Sequence, residues 1–208
     1  MRLAAAVCCG VALVASLGLA AVQKPKVTLI GDSVSDRMER NPDALASLTD
    51  GFRLNLQTRG CRTLVLTGCT IAGQTVPPPT ALRVVQRFGR YLGSFVVVEV
   101  GYNDDPARYR RDLDTVMRTL QRFHVKTVIW LTLRDPVGAF TGMNQLIETA
   151  PRRWPQLVIA DWNSYSAGHP DWFDEDGIHP TPLGAANLGQ FVHNALVRAA
   201  AKRTSVTR

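Results

Sequence analysis

The stretch VTLIGDSVSDRM, residues 27–38, sets the reading of the whole chain. Val27, Thr28, Leu29 and Ile30 favour a strand, Gly31-Asp32-Ser33 favours a turn, and a polar segment compatible with a helix follows. A strand that runs through a tight turn into a helix is the repeating unit of α/β folds. It also puts a serine at the carboxyl end of a strand, so the question is whether Ser33 is a nucleophile or a strand-end polar residue.

The same pattern recurs along the 208 residues. Strands are expected near 26–30, 53–57, 95–100, 126–133 and 157–161, with FVVVEV at 95–100 the clearest buried one. Helices are expected near 34–48 (interrupted at Asn41-Pro42), 80–92, 106–123 and 141–152, and a last one after Thr181 as N-cap and Pro182 as first helical residue. This alternation predicts one layered α/β domain over about 25–198 with a largely parallel sheet. Polar segments stand where strands end: GDS, GYND, LRDP and DWNSYS. Ligands of open α/β sheets bind outside the carboxyl ends of the strands, so topology alone predicts a site there.

The first 22 residues are one arginine and then an Ala-rich apolar run, the pattern of a secretory signal peptide with small residues near Gly18-Leu19-Ala20; an uncleaved anchor is the alternative. Export makes Cys61 and Cys69 a short-range disulfide rather than two free thiols. No His or Cys partners cluster near that pair, so no metal is expected, and the chemistry below needs no cofactor. The formal net charge of +7 suits an exported protein that meets anionic envelope material, and equally a solvated basic surface. No nucleic-acid motif is present. The last residues, 199–208, read as a disordered basic tail, and a monomer is expected.

A serine hydroxyl needs a neutral imidazole to take its proton and a carboxylate to orient that imidazole. DWFDEDGIHPTPLG supplies both: Asp176 lies three residues before His179, near enough to reach its Nδ1, and Gly177 permits the tight turn between them. Asp171 and Asp174 lack that spacing. Candidate oxyanion donors are the Ser33 N–H, the Asn103 side chain and a glycine, with Gly60 preferred and Gly68 and Gly73 as rivals. Asn103 as a helix cap is the structural alternative. His124, His169 and His193 read as structural, Asp32 as a brace for the turn, and Trp172-Phe173 as core or acyl-pocket lining. Arg134 reads as a carboxylate-binding residue or as half of a salt bridge with Asp135 or a neighbour.

GDS, GYND and DGIH, in this order over about 27–196, resemble the blocks of the SGNH hydrolases, also called GDSL-type esterases. The resemblance implies a flavodoxin-like three-layer α/β/α fold. It implies Ser33 as nucleophile, Asp176 and His179 as its partners, and oxyanion donors at Ser33, Asn103 and a glycine. GDSVSDR, VIWLTLRDP and the segment around His179 are most similar to extracytoplasmic SGNH domains of peptidoglycan O-acetyltransferases, although Pro180 replaces an apolar residue usual there. The function expected is a secreted or extracytoplasmic esterase for short acyl groups, acetyl first, with an ester or acylated glycan as substrate. An O-acyltransferase acting on an envelope glycan and a non-catalytic envelope-binding module are the alternatives.

Overall fold

The computed structural model describes residues 23–206. The expected leader at 1–22 lies outside these residues, and no helix among the described residues is long and apolar enough to cross a membrane.

Five strands form the sheet: β1 (Lys26–Gly31), β2 (Arg53–Thr58), β3 (Phe95–Glu99), β4 (Thr127–Leu131) and β5 (Leu157–Ala160). They run in the order β2-β1-β3-β4-β5, and every pair is parallel. That is the flavodoxin-like order, in which connections leave β1 and β3 in opposite directions and open a crevice between their carboxyl ends. β3 and β4 are buried along their whole length, as strands covered by helices on both faces must be.

The two faces follow from strand parity. Val96, Val98, Val128 and Trp130 pack under α3 (Ala81–Phe88), α4 (Tyr109–Arg122) and α5 (Thr141–Thr149). Val27, Leu29, Val97 and Ile129 pack against the other layer: α1 (Ser33–Glu39), α2 (Pro42–Thr49), α6 (Trp162–Ser166) and α7 (Pro182–Val206).

Local sequence explains most element boundaries. Asn41 ends the first helical stretch and caps α2, its side chain accepting from Ala44 N–H at 2.9 Å, with Pro42 at the first position of the new helix. Thr181 caps α7 through Gly184 N–H. α4 begins at Tyr109 rather than 106, because Asp105-Pro106 turns first, with Arg108 N–H donating to the Asp105 carbonyl. DWNSYS, expected as a loop, forms the short α6, whose N-cap Asp161 accepts from Ser164 N–H. Within the tail expected at 199–208, α7 continues to Val206, and 207–208 lie outside the described residues. The Ala199–Ala201 run favours helix, Ala199 is buried, and the Arg203 guanidinium lies 5.0 Å from the Phe95 ring centre.

Candidate active site at the switch point

Ser33 is the first residue of α1, directly after β1. As the first helical residue it has a backbone N–H with no intrahelical acceptor. Gly31 is required by packing: a Cβ there would lie 2.2 Å from Ser35 Cβ. Asp32, fully buried, caps α1 by accepting from Val34 N–H at 3.1 Å, and its other oxygen accepts from Gly101 N–H at 3.3 Å. It therefore ties the Ser33 turn to the loop after β3, the brace expected of it. Burial pushes its carboxyl up to about 6, against the pull of the Val34, Gly101 and Tyr102 N–H groups and of His179.

His179 Nε2 lies 2.9 Å from Ser33 Oγ, and its Nδ1 lies 2.5 Å from Asp176 Oδ2. The other Asp176 oxygen accepts from the Ile178 and His179 N–H groups, at 2.9 Å each. Slight burial acts to raise the Asp176 pKa, but the His179 ring and these two N–H groups outweigh it and hold the carboxyl below its ordinary value. An ionised Asp176 fixes the proton of a neutral imidazole on Nδ1 and leaves the Nε2 lone pair for the Ser33 O–H. Gly177 lies between them at φ +69°, in the left-handed region. Asp174 instead pairs with Arg37 at 3.0 Å.

Of the three candidate glycines, only Gly60 adjoins Ser33: its Cβ would sit 3.8 Å from Ser33 Cβ. A Cβ at Gly68 would strike the Cys61 carbonyl oxygen at 2.4 Å, and one at Gly73 would meet nothing. The Gly60 loop is held from several sides. Cys61 and Cys69 are joined by a disulfide. Arg59 N–H donates to the Gly31 carbonyl. The buried Arg62 side chain donates to the Gly31 carbonyl at 3.0 Å and the Pro79 carbonyl at 2.7 Å. Asn103 joins this loop to the one after β3 by donating from Nδ2 to the Arg62 carbonyl at 3.3 Å, which leaves its second amide N–H. It caps no helix: the N-cap of α4 is Arg108. Asp104, pushed up to about 7 by burial against the Leu64 N–H, accepts from that N–H at 3.0 Å.

Other expectations resolve structurally. Trp172 and Phe173 are core. His169 stacks on Trp172 at 3.8 Å, His193 packs edge-on to Phe52, and His124 takes a left-handed turn past α4. Arg134 makes no ion pair with Asp135 or with any other acid among the described residues.

Glu99 escapes the sequence reading. It ends β3, fully buried, and its Oε2 accepts from Ser35 Oγ at 2.5 Å while Oε1 has no hydrogen-bond partner. Burial first, and then the charge of Asp32, push its carboxyl well above the ordinary value. An acid inside FVVVEV was the signal available.

No protein-family profile matches the chain. It is 30% identical over 100 residues to O-acetyltransferase OatA of Staphylococcus aureus, covering 48% of this chain and 16% of that protein. It is 32% identical over 92 residues to peptidoglycan O-acetyltransferase OatA of Listeria monocytogenes, covering 44% of this chain and 14% of that protein. The matched region is thus under a fifth of the length of these relatives. Among solved structures, a family 3 carbohydrate esterase of Clostridium thermocellum superposes with a TM-score of 0.62 at 11% identity, covering 86% of this chain and 98% of that one. A putative arylesterase from Agrobacterium tumefaciens gives 0.57 at 13% identity, covering 84% and 99%. By fold, the chain is a three-layer α/β domain with a five-stranded parallel sheet like that of these esterase structures, and it is similar in sequence to OatA over about half its length.

Proposed function

We propose that this protein is an exported serine esterase that removes short acyl groups, acetyl first, from hydroxyls of cell-envelope glycans. The observation that carries the proposal is the hydrogen-bonded chain Ser33 Oγ, His179, Asp176 at the sheet's switch point. Ser33 Oγ attacks the ester carbonyl as its proton passes to His179 Nε2. The carbonyl oxygen becomes an oxyanion facing the N–H groups of Ser33 and Gly60 and the Asn103 amide. Collapse breaks the bond to the alcohol, which leaves with the proton from His179. Water then attacks the acyl-serine, losing its proton to His179, and the acid departs as Ser33 recovers its proton.

Shared sequence with O-acetyltransferases favours a second reading, in which a glycan hydroxyl replaces water in the second half. The two readings share the acyl-serine and differ in how well the site excludes water. Purified protein is treated with a fluorophosphonate and, separately, with p-nitrophenyl acetate, alongside Ser33→Ala. Labelling and acetate release that both vanish in the variant are expected. Folded wild type that neither labels nor turns over would leave a binding module. Acetyl transfer to an added glycan, rather than free acetate alone, would select the transferase.

A further inference from the structure

Arg134 follows β4 on the sheet edge that carries Ser33 and the Gly101–Asp104 loop. Its backbone N–H donates to Tyr102 Oη at 2.6 Å, which fixes it to that loop. Its guanidinium lies over Phe173, with Cζ 4.7 Å from the ring centre, and Phe173 pairs with Pro180, the residue after His179. Two residues further on, Pro136 abuts the Asp176–His179 turn: a Cβ at Gly177 would lie 3.1 Å from it. The segment holding Arg134 is therefore wedged between the candidate oxyanion loop and the loop of the imidazole.

The side chain is 8% exposed, yet it has no protein anion. Its Nε is buried without a hydrogen-bond partner, and no side-chain hydrogen bond of Arg134 exists among the described residues. Asp135, beside it in sequence, accepts instead from Thr141 Oγ1 at 2.7 Å. Desolvating a guanidinium without an anion is costly, and an aromatic face offsets only part of that cost. A fixed fork of N–H donors matches a carboxylate in bidentate geometry.

We infer that Arg134 binds a carboxylate carried by the substrate, so that the preferred ester is anionic. The word substrate rests on Ser33 being the nucleophile; carboxylate binding does not.

The test compares 3-acetoxybenzoate and 4-acetoxybenzoate with their methyl esters, each rate divided by its rate with hydroxide. In wild type, kcat/KM is expected to favour a carboxylate form by about tenfold or more, as a charged hydrogen-bonded pair would give. Arg134→Gln is expected to bring the ratio to about one, and Arg134→Lys to keep part of it. The ratio does not depend on the folded fraction. A wild-type ratio near one, or one unchanged in Arg134→Gln, overturns the inference. Calorimetry on the full-length Ser33→Ala protein with 3-acetamidobenzoate and 4-acetamidobenzoate and their methyl esters separates the two ideas. Carboxylate-selective binding without ester turnover in wild type would sink the nucleophile and keep Arg134. Turnover without selectivity would do the reverse.

Discussion

Replacing Glu99 with Gln tests the electrostatics beneath the nucleophile. Glu99 lies on the face of β3 that also carries Phe95 and Val97, toward the layer containing α1, and it is fully buried. Its pKa is raised well above the ordinary value, by burial first and then by Asp32, so it keeps its proton to higher pH in the fold than in the unfolded chain. An unfolded carboxyl ionises near its ordinary value. Between that value and the raised one, the native state holds a proton that the unfolded state has lost. Stability from this group is therefore complete at low pH and declines as pH rises, the unfolding constant growing about tenfold per pH unit. Gln has the same shape, can accept from Ser35, and cannot ionise. The variant should gain on wild type as pH rises from 5 to 7, by up to about tenfold in unfolding constant per unit, and the gap should flatten near pH 4. Asp32, raised to about 6 by burial, titrates in both proteins, and because its charge acts on Glu99 the difference reports Glu99 together with that interaction. Urea unfolding followed by circular dichroism at constant salt measures the gap, given equal m-values. Stability curves that run parallel from pH 5 to pH 7 would refute the reasoning, since Glu99 would then ionise alike in both states.

Asp176→Asn keeps the shape of the side chain but stabilises the wrong imidazole tautomer; ester turnover should fall by about 10⁴ with little change in melting temperature, and a loss under about tenfold would remove Asp176 from the triad. The glycines should separate rate from stability. Gly60→Ala meets Ile71 at 3.7 Å and Ser33 Cβ at 3.8 Å, ordinary contacts, so it should fold while losing about tenfold or more in kcat beside the oxyanion. Gly68→Ala drives its methyl to 2.4 Å from the Cys61 carbonyl and should cost about 1–3 kcal/mol of stability; the opposite pattern would move the third donor away from Gly60. Replacing both Cys61 and Cys69 with Ser opens a loop of sequence separation 8 and should cost roughly 2–3 kcal/mol in denaturation, with a fall in kcat as Gly60 loosens. Unchanged kcat would mean that the Arg62 hydrogen bonds hold the loop alone.

The parallel sheet was legible because its central strands carry continuous apolar runs and its connections carry helical patterns. The Asp176–His179 geometry was legible because one turn of chain contains it, so spacing and contact nearly coincide. Gly60 was harder. Its nearness to Ser33 depends on how the disulfide loop folds back over β1, which the Arg59 and Arg62 hydrogen bonds to the Gly31 carbonyl decide. These bonds join residues about thirty positions apart and leave no local pattern. The extension of α7 was hard to read for a related reason: charge favoured disorder, while Arg203 over Phe95 is a contact made with the amino end of β3.

Glu99 escapes a reading of the sequence, and Arg134 is left by it between two roles. Both stand at strand ends beside apolar runs, and each could have faced solvent. Parity assigns Glu99 to the face of Phe95 and Val97, but that matters only once α1 is seen to cover that face and bring Ser35 to it. Arg134 has an acid next to it in sequence, the usual reason to assume an ion pair, yet Asp135 turns to Thr141 and the guanidinium lies on an aromatic ring. Folding alone gives no reason to keep such groups: well-packed apolar residues would stabilise the fold as well or better. Groups that break local rules without a structural gain concentrate where function needs them. These two flank the crevice between β1 and its neighbours from below and from the side. Burial holds the acid toward its neutral form beneath the serine turn, and the base offers a charge that no acid among the described residues matches. A guanidinium left beside the crevice without an acid partner favours a substrate that brings its own negative charge.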